Sequence, residues 1–325
     1  NARFEAIARH SYQSWVSKRT KAQIERSLGK NPIDSFPNFT HLFLKSQLVK
    51  KEGTRFAHAK AGQTVSEFNL VRQFRDAPFA HYVEDLALRH ARPGTYLHCR
   101  ASPKDMDDWY VKHWVPGAAM SANDYTAWDN GCDRVFLDFD LWIMGLCGVP
   151  NEYIRAYQYD RATTSSHMGP HMMRQESGDR WTWLLNTLRN AAITGCSLRC
   201  PPGTPAAFSG DDSVVLGDWR APPEFNPRDW KMQPKPEYGS DLEFCGYRFG
   251  GTHVALSETV VLHRSQNGLA LGRNDEDYWR SIADAICEAG VTAEDYSAVL
   301  ATAKQNLLTA SVQFGFPKRG PLVFY

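Results

Sequence analysis

The chain has 325 residues, 42% hydrophobic and 22% charged, with a net charge of +1, an ordinary globular balance that excludes a low-complexity chain and allows one large domain or two to three subdomains. Its longest apolar stretch, 135–150, is too short to span a bilayer and is interrupted by Asp138 and Asp140, so the sequence predicts a soluble protein without a membrane segment or N-terminal leader. Seven scattered cysteines without zinc-finger spacing predict reduced thiols.

Charge is unevenly spread. Residues 1–75 hold 14 Lys or Arg against 5 Asp or Glu, a net +9 that leaves −8 for the other 250. A basic quarter joined to an acidic remainder suits a phosphate-facing surface beside a metal-binding one.

In chain order, residues 3–30 predict an amphipathic helix stopped by Gly29 and Asn31-Pro32, and 41–49 alternate as a strand. Residues 65–91 predict a second helix. Residues 120–124 predict a short buried strand, followed by a helix to about Cys147 whose apolar part is buried and which Gly148 and Pro150 end. Residues 171–174 suggest a short strand. A helix then runs to about Ile193, with Ser177 as N-cap and Asp179 in its first turn. Residues 206–208 and 214–216 predict a hairpin, 222–236 a loop-rich linker, and 242–249 with 253–256 a second hairpin around Gly250-Gly251. From Asp275 the pattern is helical, with a capped helix start at 291–294. Strands and helices mix without regular alternation, so the fold class is α+β.

The first hairpin carries Ser209-Gly-Asp-Asp-Ser213 at its turn. Alone, Gly-Asp-Asp is a weak signal. Its company is more specific: Asp124 at the end of a predicted strand, Asp129 five residues on, and Ser177-Gly-x3-Thr182-x3-Asn186 between them. If the two strands are neighbours, Asp124 and Asp211 reach one point, and hard divalent cations such as Mg²⁺ take carboxylate and phosphate oxygens. Two such ions activate an attacking hydroxyl and stabilise the leaving oxygen of an in-line displacement. Thr182 and Asn186 share a helix face opposite the apolar stripe Trp181, Leu184, Leu185 and Leu188. An Asn facing Asp129 can hold that carboxylate ready for a ribose hydroxyl. Residues 43–65 interleave basic, aromatic and small residues, a composition able to neutralise a triphosphate. The combination implies template-directed nucleotide addition.

Lys45-Ser-Gln, Lys60-Ala-Gly-Gln-Thr64, Asn123-Asp-Tyr-Thr-Ala-x-Asp129, the Ser-Gly-x3-Thr-x3-Asn and Ser-Gly-Asp-Asp segments, and Phe244-Cys-Gly246 together resemble a known family. They are similar to the right-hand RNA-dependent RNA polymerases of positive-strand RNA viruses. Within the alphavirus-like group the wording is closest to tymovirus and flexivirus polymerases, including fungal-virus forms. The resemblance covers residues 43 to about 249. It implies fingers over 1–95 with a basic nucleotide-entry segment, a palm over 96–256, and a small helical thumb over 257–325. The palm would be an antiparallel sheet flanked by helices, with a fingers insertion near 148–173.

The resemblance also implies roles. Asp124 and Asp211 would be metal ligands for Mg²⁺ or Mn²⁺, with Asp212 in support. Asp129, Ser177, Gly178, Thr182 and Asn186 would surround the incoming ribose, and Lys45, Arg55 and Lys60 would contact nucleotide phosphates. Lys231, with Lys235 as competitor, would sit beside the leaving pyrophosphate, and Phe244-Cys-Gly would grip the primer or nascent strand. Template and nascent RNA and ribonucleoside triphosphates follow as partners. Capping and helicase domains of a replicase polyprotein would be further partners, in host cytoplasm at membrane-associated replication complexes. Trp128 in place of the usual Phe, and Gln175-Glu176 before Ser177-Gly178, depart from the family wording without removing a reacting group. Two rivals stand beside this reading. A reverse transcriptase is disfavoured by the Asp129–Asn186 pair, and a catalytically silent RNA-binding palm by the intact carboxylate set.

Overall fold

The computed structural model describes residues 2–17, 20–21, 38–44, 64–126, 128–171, 173–222, 232, 234–257, 260–261, 264–265, 267–268, 272 and 276–289. Lys45, Arg55, Lys60 and Lys231, and the greater part of the expected thumb, lie outside these residues.

Helix α1 (Ala2–Ser17) is followed by strands β1 (Thr40–Leu44) and β2 (Thr64–Phe68), which pair antiparallel. Helix α2 (Leu70–His90) starts where the Asn69 side chain accepts from the Val71 amide at 2.7 Å, a cap for an otherwise orphaned donor. Phe4 of α1 packs on Phe79 of α2 with ring centroids 5.1 Å apart. Strand β3 (Thr95–Leu97) leads to α3 (Pro103–His113), whose start carries a reciprocal Ser102–Asp105 capping box and Pro103 in its first turn. Strand β4 (Met120–Tyr125) is followed by the short helix α4 (Trp128–Gly131) and by α5 (Arg134–Leu146), capped by Asp133. Helix α6 (Asn151–Thr163) and the small pair β5 (Ser165–Ser166) and β6 (Gly169–Pro170) precede the long helix α7 (Thr182–Leu198). Then come β7 (Ala206–Ser209), β8 (Asp212–Leu216), β9 (Pro234–Gly239), β10 (Leu242–Phe244), β11 (Tyr247–Phe249), β12 (Ala255–Leu256) and α8 (Glu276–Ala289).

The centre is a five-stranded sheet in the order β3-β7-β8-β4-β9. Only β3 runs parallel to its neighbour, so the sheet is mixed rather than purely antiparallel. Side chains alternate across it, as the two-residue strand period demands. Met120, Ala122, Ala207 and Val214 face a core shared with Met106 and Tyr110 of α3, Phe244 and Phe249. Ala206, Phe208 and Val215 face the other way, toward Ala191 and Leu198 of α7. A third core joins Val83, Leu137, Met144, Tyr153, Tyr157, Trp181, Leu184 and Leu185, drawn from α2, α5, α6, α7 and the residue that precedes α7. Strands β10 to β12 form a meander docked on α3, where the Tyr110 hydroxyl donates to the Gly251 carbonyl at 2.9 Å.

Several expected elements change. Residues 64–68 form a strand, not the first turn of a helix. Helix α7 starts at Thr182 rather than beside Ser177, and Asp179 accepts from the Trp181 amide at 3.0 Å ahead of it. The described residues of 171–174 lie in a loop. The expected single helix to Cys147 is split after Gly131, and α5 is not buried all round: Val135, Trp142 and Leu146 are 69%, 58% and 66% exposed. Within the expected linker, residues 234–236 belong to the edge strand β9. An edge tolerates Pro234 and Pro236 because one row of its backbone groups has no ladder partner. The expected hairpin around Gly250-Gly251 is a three-stranded meander turning at Cys245-Gly246 as well. Among the described cysteines, six are free thiols, and no described helix is long and apolar enough to cross a membrane.

The loop before α7 is fastened to β2. Ser177 donates to the Thr64 carbonyl at 3.3 Å, and Ser66 hydrogen-bonds Glu176. His171 bridges Glu176 and Ser166, each contact 2.7 Å. A Cβ added at Gly178 would stand 1.6 Å from the Ser66 carbonyl oxygen, so only glycine lets the two backbones approach. Gly178→Ala is therefore expected to lower stability by about 1–3 kcal/mol through overpacking. Urea unfolding of the two proteins checks this, and equal midpoints would show that the loop sits elsewhere.

Candidate active site

The sheet register determines which carboxylates meet. In the β4–β8 ladder Asn123 pairs with Ser213, which puts Asp124 and Asp212 one step beyond, on the face shared by Met120, Ala122 and Val214. Ser209 pairs with Asp212, so Gly210 and Asp211 form a two-residue turn. Gly210 has φ +60° with open space around it; the turn needs its backbone freedom, not its small size.

Helix α7 holds that turn from one side. Thr187 Oγ1 accepts from the Gly210 amide at 2.8 Å, Asn190 Nδ2 donates to the Gly210 carbonyl at 3.2 Å, and Trp183 Nε1 donates to Ser209 Oγ at 3.1 Å. These three contacts were not foreseen from sequence. The signal was present as a polar row at 183, 187, 190 and 194, the i, i+3, i+4 spacing of one helix face. Cys245, at the β10–β11 turn, donates to Asp212 Oδ2 at 3.6 Å from the other side.

The carboxylates oppose one another. Burial, then the charges of Asp211 and Asp124, pushes Asp212 up to about 6. Asp211 is also raised, by burial first and by Asp124 in addition, partly offset by Lys235. On β9, Lys235 lies opposite Asp124 and its Nζ sits 3.1 Å from Asp124 Oδ2, while Asp124 Oδ1 accepts from the Tyr125 amide. Among the described residues, no three acidic, imidazole or thiol groups are already arranged to enclose an ion. The donor set still fits a hard divalent cation, because it consists of oxygen ligands whose mutual repulsion such a charge would relieve.

A fourth carboxylate comes from a separate segment. Asp129, at the start of α4, accepts at Oδ1 from Asn186 Nδ2 at 3.1 Å. Burial pushes it up to about 6 against the lowering effect of that bond. The structure thus joins Asp129 and Asn186 from separate segments. Thr182 is engaged differently: its hydroxyl donates to the Glu176 carbonyl at 2.6 Å and accepts from Gln175 Nε2 at 3.0 Å. Ser177 and Gly178 are committed to β2, as described above.

A profile of the family described as RNA dependent RNA polymerase matches residues 3–235. The chain is 31% identical over 236 residues, 70% of its length, to the RNA replication protein of Botrytis virus F. It is 28% identical over 262 residues, 78% of its length, to the RNA replication polyprotein of Citrus leaf blotch virus. It is also 28% identical over 257 residues, again 78%, to the RNA-directed RNA polymerase of Apple chlorotic leaf spot virus. The matched regions span only 12%, 13% and 13% of those three proteins.

The raised carboxyls give a stability profile with a definite sign. A carboxyl at about 6 in the fold binds more protons than the unfolded chain between roughly pH 4 and 6. Its stabilising contribution is present below that window and is lost as pH rises through it. In chelator at pH 8, Asp212→Asn is expected to be more stable than wild type by about 1–2 kcal/mol, with the gap closing near pH 4. Thermal melting across that range measures it, and a gap independent of pH would exclude the raised Asp212 carboxyl as the cause.

Proposed function

The chain belongs to the RNA dependent RNA polymerase family, and on that premise we propose that it extends an RNA strand on an RNA template from ribonucleoside triphosphates. The growing strand's 3′-hydroxyl attacks the α-phosphate: its O–H proton is lost to solvent as the new O–P bond forms, and the bond to pyrophosphate breaks. What carries this reading is one juxtaposition: three carboxylates gathered at the β4–β8 end of the sheet beside a separate Asp129–Asn186 hydrogen bond.

Asp124 and Asp211, with Asp212 in support, would hold the divalent cations. When bound, Mg²⁺ or Mn²⁺ supplies Lewis acidity to the attacking hydroxyl and the leaving oxygen. Helix α7 fixes the turn that carries Asp211, so the carboxylates need little reorganisation when substrate arrives. Asp129, held at one oxygen by Asn186, accepts a ribose hydroxyl at the site; Thr182 and Ser177 shape the loop and helix start around it. Lys235 supplies positive charge beside Asp124. Lys231, Lys45, Arg55 and Lys60 are assigned to pyrophosphate and nucleotide phosphates on the resemblance of their motifs. The central sheet with α3, α5 and α7 then constitutes a palm over 96–256, with fingers over 1–95 and near 148–173, and a thumb over 257–325. Polyprotein relatives support a setting among other domains; a place at membrane-associated replication complexes in host cytoplasm is proposed on the motif resemblance alone.

The test is primer extension with four ribonucleotides, with and without Mg²⁺. Asp124→Asn or Asp211→Asn should lower the rate by roughly 10²–10³ or more while RNA binding persists. Extension at wild-type rate by either variant would remove that residue from the metal site. A wild-type preference for deoxyribonucleotides would favour a reverse transcriptase instead.

A further inference from the structure

An asparagine amide has two orientations, related by exchanging its oxygen and nitrogen, and only one can donate to a carboxylate. Asn186 must present Nδ2 to Asp129, and something must prevent the flip. Arg189, one turn further along α7, donates from Nη1 to Asn186 Oδ1 at 2.8 Å. A guanidinium has only donors, so this contact is possible in one amide orientation alone.

Arg189 cannot itself swing away. Its Nε donates to Asp140 Oδ1 at 2.8 Å and its Nη2 hydrogen-bonds Asp140 Oδ2, a two-pronged pairing between side chains that are both 0% exposed. Nη2 also donates to Gln175 Oε1 at 3.0 Å. Gln175 Oε1 receives a second guanidinium donor, Arg161 Nη1, at 2.9 Å, which fixes the glutamine amide in turn. Its Nε2 then donates to Thr182 Oγ1, and its backbone N–H donates to the Asp129 carbonyl at 3.3 Å. Asp129, Thr182 and Asn186 therefore all end on one buried network whose donor and acceptor directions are set by its arginines.

We infer that Arg189 is a positioning residue for sugar selection, fixing the Asn186 amide so that its N–H faces Asp129. The inference rests on the polymerase reading above. A merely structural ion pair between α5 and α7 would predict something different: losing it would weaken the fold and slow every nucleotide alike.

The measurement is the ratio of kcat/KM for a ribonucleotide to that for its 2′-deoxy analogue. Arg189→Lys keeps a charge against Asp140 but lacks the fork that also reaches Asn186 and Gln175. Two neutral pairs remove both charges of the Arg189–Asp140 bridge, and each takes from Arg161 the same carboxylate 3.6 Å away, so they are compared with each other: Asp140→Asn with Arg189→Gln retains an amide donor for Asn186, and Asp140→Leu with Arg189→Met has none. The ratio should fall at least about tenfold in Arg189→Lys and in the Leu/Met pair. That fall should come from the ribonucleotide, with deoxynucleotide use unchanged. In the Asn/Gln pair it should stay within about threefold of wild type. Equal losses for both sugars, the same ratio in the two neutral pairs, or failure of both Arg189→Lys and the Leu/Met pair to fold would each overturn the inference. A wild type that adds no ribonucleotide with Mg²⁺ would sink the polymerase reading instead, a result visible before any variant is compared.

Discussion

Mutual repulsion among Asp124, Asp211 and Asp212 is the constraint around which this structure is arranged. Left to itself, a chain would separate three acidic groups or protonate them, and Asp211 and Asp212 are raised by burial first and by neighbouring carboxylates in addition. The groups are instead held by features that do not depend on their charge. The β4–β8 register fixes two of them, a glycine turn fixes the third, and α7 fastens that turn through both the amide and the carbonyl of Gly210. The apolar contacts of Met120, Ala207 and Val214 beneath the same face supply offsetting stability. The raised Asp211 and Asp212 carboxyls favour their neutral forms in the fold, a cost a functional site can carry against stability.

The helical side of the molecule shows a related choice. Arg72 pairs with Asp179 at 2.6 Å, both side chains 1% exposed, and Arg189 pairs with Asp140 at full burial. Buried pairs of this kind contribute little net stability, because desolvation opposes the Coulombic gain. Their directional effect is larger. Arg72–Asp179 ties α2 to the loop before α7, while Tyr153 receives the Trp181 indole N–H and donates to Asp76. Removing one partner would strand the other, so each network enforces a single arrangement more firmly than it stabilises it.

Much of the site was legible because its chemistry needs particular residue types at short spacing. The Gly-Asp-Asp hairpin and the strand ending at Asp124 both appear where the pattern put them. Other features were hidden for identifiable reasons. Pro234 and Pro236 look like linker residues unless the strand is known to be an edge, which is a tertiary fact. Residues 64–68 are too short to tell a strand from a helix start by periodicity, and only pairing with β1 decides it. Ser177 and Asp179 carry good capping chemistry, yet the close approach of Ser66 to Gly178 delays α7 to Thr182. Arg189 was invisible as a positioning group because Asp140, its anchor, lies 49 residues away on another helix.

Helix α7 makes these separate effects interdependent. Its apolar face, through Leu184 and Leu185, is part of the helical core; its polar face carries Asn186, Thr187 and Asn190. The loop that enters it is bound to β2, and Arg189 on the same helix reaches Asp140 on α5. A rotation of α7 by one residue would move about 100° of helical face, exchanging the core stripe for the polar row. The Asn186–Asp129 bond, turn clamp and core packing therefore share one rotational setting. Energies measured at 186, 187, 189 and 190 should not be summed as independent terms, since neighbours within one network couple. On the proposed reading, the physical unit that would recognise a nucleotide is the oriented helix with its buried anchors, not any single side chain upon it.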